Sequence, residues 1–189
     1  MKEKLFAALL THVPFDGWSH SALRHAAKEV GMDMALACDY FPDALTMIDH
    51  HHRLIDGAMV VPDQGGVSAK IRAAILSRFD YVWHDREAVR RGVYFLSLPP
   101  NLYAATKMSY RSADAIWTAV GSYDRGFDWT TKRTSLVAIY SATLLFWLSD
   151  AGQDRLALEA YLDRQLSRLL KIMKPINEIR ARFTKPFTN

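Results

Sequence analysis

Cysteine is nearly absent: the 189-residue chain carries one, Cys38. A single thiol excludes an internal disulfide and a multi-cysteine zinc centre, and it fits a reducing compartment. No adjacent Lys, Arg or His lowers its pKa, so Cys38 reads as a small packing residue and not as a nucleophile. Also missing are a Gly-x-Ser-x-Gly elbow, a P-loop and a dinucleotide fingerprint, and "DQGG" at 63–66 is only a turn. No pair of carboxylates assembles for acid–base work. The expectation is a protein that is not an enzyme, with no catalytic residue and no cofactor.

A membrane-length apolar run is lacking too. In "FDWTTKRTSLVAIYSATLLFWLSD", residues 127–150, the stretch from Thr134 to Ser149 has no charge. It falls short of the about 20 apolar residues that a spanning helix needs, and Ser135, Ser141 and Thr143 interrupt it. The opening "MKEKLFAALL" lacks a signal-peptide core, because Leu5 to Leu10 is too short and His12 and Pro14 follow where small residues are required. It reads as the first amphipathic helix of a cytoplasmic protein.

What the chain does have is helical length between regular breakers. Pro14–Gly17, Gly31–Asp33, Phe41–Asp43, Pro62–Gly66, Ser97–Asn101, Gly121–Gly126 and Ala151–Gln153 divide it into about eight or nine helices, with no credible strand. A chain of this length buries roughly 70% of its unfolded surface, enough for a core without staples. The expected architecture is one all-α unit: a helix-turn-helix-like module over 1–43, a larger helical bundle over 44–173, to which the resemblance given below assigns ligand binding and dimerisation, and a basic tail over 174–189. Asn101 is a candidate cap for a long helix from about Leu102 to Ser122. Charge is uneven. Residues 153–189 hold eight Lys or Arg against four Asp or Glu, so they account for the whole net charge of +4.

Residues 19–43 outline a helix-turn-helix. Ser19 or Ser21 caps a helix with Leu23, Ala26, Ala27 and Val30 on one face, Gly31 turns, and a short helix runs from about Met34 to Tyr40. A DNA reader needs cations and amides on that second helix. "MALACDY" offers Asp39 and Tyr40, and residues 1–43 hold four basic against six acidic residues. No DNA partner is expected; the module is a packing scaffold.

Three consecutive histidines in "MIDHHHRLIDGAM" invite a metal reading. Successive helical residues point about 100° apart, so His50, His51 and His52 cannot share one ion. His52 falls on the apolar face of Leu45, Ile48, Ile55 and Met59, between Asp49 and Asp56. The expectation is no metal site, one half-buried histidine held by a neighbouring carboxylate, and two solvated ones.

The apolar helix within 127–150 carries the strongest signal. Leu136, Ile139, Tyr140, Thr143, Leu144 and Trp147 form a bulky sector, opposite small residues Ala138, Ser141 and Ala142. The preceding helix adds Ile116, Trp117 and Val120. Periodicity alone leaves open whether these fill a core or line a cavity. Near the end, Ile176, Ile179 and Phe183 recur beside Arg180 and Arg182, a basic amphipathic pattern suited to anionic membrane surfaces or acidic grooves.

Three stretches, "HVPFDGWSHSALRHAAKEVGMDMALACDYFPD", "GFDWTTKRTSLVAIYSATLLFWLSD" and "YLDRQLSRLLKIMK", together resemble the accessory lipid-binding family of ubiquinone (coenzyme Q) biosynthesis. The resemblance spans about residues 5 to 173. It implies a TetR-repressor-like helical bundle and a homodimer. It also implies a non-enzymatic role, holding isoprenoid or phospholipid tails and presenting quinone precursors to a di-iron hydroxylase. On this resemblance the residues above, Ile116 to Trp147, become lipid-binding candidates. The family's hydroxylase-binding motif falls on Trp129 and Arg133, with Gly126, Asp128 and Thr130 standing where the family has Asp, Asn and Tyr. Ile176, Ile179, Arg180 and Phe183 become the membrane contact of a peripherally associated protein, cytoplasmic in bacteria and on the mitochondrial matrix side in eukaryotic members. The alternative is a TetR-type transcription regulator sensing a hydrophobic ligand.

Overall fold

The computed structural model describes residues 1–121, 127–149 and 154–168, with the side chains of 127–129 outside that description. Its elements are α1 (Lys2–Asp16), α2 (His20–Glu29), α3 (Met34–Tyr40), α4 (Ala44–Gly57), α5 (Val67–Tyr81), α6 (Arg86–Ser97), α7 (Leu102–Ala119) and α8 (Phe127–Leu148). A further helical stretch, α9, covers 155–168. No strand occurs among the described residues, so the all-α expectation holds.

Side-chain caps place several of the helix starts. Ser19 Oγ accepts from the Ala22 amide at 3.2 Å, Asp33 Oδ1 from Ala35 at 2.8 Å, and Asp43 Oδ1 from Thr46 at 2.7 Å. Each satisfies an amide that the first turn leaves without a partner. Gly31, at φ 66°, makes the left-handed turn between α2 and α3 that a side chain would strain. Asn101 does something else. Its amide donates to the Phe95 carbonyl at 2.9 Å, and it ends a single 3-10 turn, Pro99–Asn101, which leads into α7. α7 stops at Ala119, short of the expected Ser122, because Gly121 adopts φ 84°. Pro14 does not break α1, which continues to Asp16; near a C-terminus the missing amide forfeits little.

Two hydrophobic clusters form the interior. One gathers Leu5, Phe6, Leu9 and Val13 of α1 with Leu23, Ala26, Phe41, Met47 and Ile48, and it extends to Ala88, Leu96 and Met108. The other joins Ile71, Ile75 and Phe79 of α5 to Ile116, Trp117, Leu136, Ile139 and Trp147, with Leu158, Leu162 and Leu166 of α9 closing it. The first cluster therefore reaches past residue 43 into α4, α6 and α7. The polar flanks agree with this packing: Arg72 bonds Glu159 and Asp163, and Arg155 bonds Asp80, tying α9 to α5.

The C-terminal end of α8, uncharged from Thr134 onward, is finished by another helix. Arg86 and Arg90 of α6 donate to the carbonyls of Ser149 and Leu148, the latter at 2.8 Å. Cations on the final carbonyls satisfy orphan acceptors and complement the negative end of the helix. No helix among the described residues is long and apolar enough to cross a membrane.

Candidate ligand cavity

A cavity of about 310 Å³ lies where the two clusters meet. Trp18, Ile48, Ala88 and Leu96 come from the first cluster, His51 lies against its Trp18 and Phe6, and Ile55, Val82, Tyr140 and Leu144 belong to or pack on the second. Val89, Gly92 and Val93 of α6 and Leu102, Ala105, Ser109 and Ser112 of α7 complete the walls. The lining is predominantly apolar. Leu102 and Leu145 line it yet are 51% and 61% exposed, which marks them as the mouth.

Gly92 shapes one wall. A Cβ there would lie 3.4 Å from Trp18 Nε1, so the missing side chain lets the indole lie against α6 and donate to the Ala88 carbonyl at 2.9 Å.

The polar lining includes two imidazoles from α4, beside the hydroxyls of Ser97, Ser109, Ser112, Tyr140 and Ser141. His51 is 2% exposed, its ring 5.4 Å from that of Trp18 and 5.9 Å from that of Phe6. Its Nε2 is buried without a hydrogen-bond partner, as is Nδ1 of His52. Burial, with the neighbouring His52 and His50, pushes His51 down to about 3. Burial and the Arg78 charge bring His52 down to about 4. Both imidazoles are therefore neutral at physiological pH, each with a nitrogen that water cannot reach. Enclosed polar atoms of this kind are costly unless something bonds them.

The expected histidine–carboxylate pairing is absent, and the reason is competition from arginine. Asp49 bonds Arg53 at 2.7 Å and also Arg111, while Asp56 bonds Arg78 and accepts from Ser112 Oγ at 2.8 Å. Burial raises the Asp49 carboxyl, but its bonds to Arg53 and Arg111 outweigh that and hold it below the usual range. The fully enclosed histidine is His51, not His52, and His50 packs on Phe6 with ring centroids 4.7 Å apart. None of the three is solvated as a free surface histidine: Phe6 of α1 and Phe41 cover His50, Phe6 and Trp18 cover His51, and His52 lies beside Arg78 and Asp56.

Behind this wall Arg78 is 0% exposed. It bonds Asp56, donates to Ser112 Oγ at 3.2 Å, and lies 4.8 Å from the Tyr140 ring centre. A buried guanidinium needs such a set of partners.

The lipid-binding candidates divide. Tyr140 and Leu144 line the cavity. Ile116, Trp117, Val120, Leu136, Ile139 and Trp147 pack in the second cluster, and Thr143, fully buried, bonds the Ile139 carbonyl at 2.8 Å. Arg133 is buried and held by Asp114 of α7 through Nε at 2.7 Å. The Trp129 side chain lies outside the described residues, as do Ile176, Ile179, Arg180 and Phe183. The walls from α4, α6 and the start of α7 were not anticipated. Their one sequence signal was Gly92, a glycine inside a helical pattern, which often marks a close approach.

A family model described as COQ9 matches residues 102–173. The Homo sapiens "Ubiquinone biosynthesis protein COQ9, mitochondrial" is 24% identical over 167 residues, covering 82% of this chain and 52% of that protein. The Dictyostelium discoideum "Probable ubiquinone biosynthesis protein coq9, mitochondrial" is 28% identical over 113 residues, 60% of this chain and 35% of that protein. The Xenopus laevis "Ubiquinone biosynthesis protein COQ9-A, mitochondrial" is 22% identical over 196 residues, 95% of this chain and 61% of that protein. The chain spans between a third and three fifths of the length of these relatives. With the family model on α7, α8 and α9 and these proteins aligned along most of its length, the chain is similar to the COQ9 family of ubiquinone biosynthesis proteins.

Proposed function

We propose that the chain is a non-enzymatic lipid-binding accessory protein of ubiquinone biosynthesis that holds an isoprenoid precursor and presents it to a partner hydroxylase. The observation that carries this reading is the apolar cavity with its exposed leucine mouth and two unpartnered neutral imidazole nitrogens. Each methylene of a tail moved from water into such a lining contributes about 0.8 kcal/mol. A cavity of about 310 Å³ is at the small end for ligand sites, with room for the head and the first part of a tail while the remainder leaves past Leu102 and Leu145. A hydroxyl or carbonyl oxygen on the ligand would satisfy His51 or His52 once a side-chain shift opens to the cavity those nitrogens, which have no bonding partner among the described residues. No covalent step is needed.

The same reading carries a homodimer, contact with a di-iron hydroxylase through Trp129, and peripheral membrane contact through Ile176, Ile179, Arg180 and Phe183. Arg133 would serve the hydroxylase contact by fixing the first turns of α8 on α7 through Asp114. A transcription-regulator reading draws no support from α3, whose exposed residues, Ala35, Leu36 and Asp39, offer no cation to phosphate.

Lipid extraction of the purified chain tests the proposal. Mass spectrometry is expected to find an isoprenoid or phospholipid near one per chain, and its content should drop when Leu144→Trp fills the cavity. Folded protein that carries no lipid, and takes none from vesicles, would overturn the reading.

A further inference from the structure

Two helical i, i+4 pairs face each other across the first two helices. His12 and Asp16 lie one turn apart on α1, and His25 and Glu29 lie one turn apart on α2. They bond crosswise rather than along their own helices: His12 Nε2 meets Glu29 Oε2 at 2.9 Å, and His25 Nδ1 meets Asp16 Oδ2 at 2.8 Å. The ligand atoms of His12, Asp16 and His25 all lie within 4.8 Å of one another, and the two imidazole centres are 5.5 Å apart.

We propose that His12, Asp16, His25 and Glu29 form a site for a divalent transition-metal ion, zinc in the first instance, bridging α1 and α2. The donor set is two imidazoles and two carboxylates, the nitrogen and oxygen ligands that suit zinc and its neighbours. Around a tetrahedral ion with bonds near 2.0 Å, ligand atoms stand about 3.3 Å apart. Among the ligand atoms of His12, Asp16 and His25 the separations, from 2.8 to 4.8 Å, bracket that value, and Glu29 joins the group through His12 at 2.9 Å, so an ion enters by side-chain rotation with both helices in place. Two carboxylates neutralise its charge. Six acidic against four basic residues over 1–43 favour a cation at this surface. The backbone is already fixed: α1 and α2 pack through Leu5, Leu9, Leu23 and Ala26, and Ser19 caps α2 two residues beyond the turn at Gly17. A preorganised frame means that the ion orders only four side chains. None of the four residues lines the cavity, and the site does not rest on the lipid reading.

The sequence had the signal, two His-x-x-x-acid pairs, but it could not show that one faces the other. Only the packing of α2 on α1 brings them together.

The test uses the full chain stripped with chelator and titrated with Co²⁺ and then Zn²⁺. The expected result is one equivalent of Co²⁺ giving visible d–d absorption, displaced by Zn²⁺, with zinc raising the melting temperature. The variants H12A/H25A and D16N/E29Q are expected to weaken binding at least tenfold and lose the absorption, while H20A and H84A, at exposed histidines outside the cluster, keep both. Circular dichroism on each variant separates lost ligands from lost fold, because these side chains lie at the surface. Weak binding at several equivalents, or binding unchanged in H12A/H25A, overturns the proposal.

Discussion

Trp18 Nε1 donates to the carbonyl of Ala88 at 2.9 Å, so the loop after α1 is fastened to α6 across one wall of the cavity. The bond is buried and links residues far apart in sequence, and Gly92 makes room for it. Trp18→Phe removes the donor and part of the ring. The loss expected is about 1–3 kcal/mol in urea unfolding, from one buried hydrogen bond and the space left behind. A variant as stable as the parent would show that the loop after α1 and α6 hold together without this link.

Asp56 is the anionic partner of a fully buried cation. Asp56→Asn leaves Arg78 with Ser112 and an aromatic face but no countercharge. Breaking a buried pair from one side costs about 3–5 kcal/mol. The double variant Asp56→Asn with Arg78→Met is expected to recover a substantial part, since both charges are then gone. Denaturant midpoints for the three proteins decide it.

Acid should weaken the fold well above the range where carboxylates titrate. An unfolded histidine takes a proton near pH 6.5, whereas native His51 refuses one until about pH 3. Between those values the unfolded state binds more protons, so stability rises with pH and falls on acidification. At pH 4.5 His51 alone accounts for a loss of about 3 kcal/mol, and His50 and His52, also shifted down, act in the same direction. The depressed Asp49 carboxyl works in a separate, lower window, below the ordinary value of 3.8. Urea unfolding at pH 7.5 and 4.5 measures this, and His51→Phe is expected to flatten the dependence.

The cavity mouth can be changed without touching the core. Leu102→Glu and Leu145→Glu sit at exposed positions, so stability should stay within about 0.5 kcal/mol of the parent. Transfer of a fluorescent isoprenoid from vesicles should slow, because each carboxylate places charge where a tail must pass. Equal transfer rates in parent and double variant would move the mouth elsewhere.

Much of the helical frame was legible in residue types. Ser19, one of two cap candidates with Ser21, starts α2, and Asp33 and Asp43, which close two of the breaker stretches, cap α3 and α4, because a short acceptor before a helix satisfies a first-turn amide. Asn101 misled, since the two prolines before it build a 3-10 turn and its amide serves the carbonyl of Phe95. The cavity was half legible. Tyr140 and Leu144 line it, but Ile139 and Trp147, on the same helix, pack in the core. A periodic sector states which face is covered, and the covering helix decides whether the space is filled. The histidines show the same limit. Their neighbours in sequence, Asp49 and Asp56, were visible, whereas Arg78 and Arg111, which take those carboxylates, come from other helices.

The cavity lies on the seam between the two hydrophobic clusters, bounded by one on each side. A bound molecule would then touch both and act as a joint between them. The empty protein should lose its N-terminal module at lower denaturant than the rest, and the loaded protein should melt as a single cooperative unit, its transition merging in proportion to occupancy.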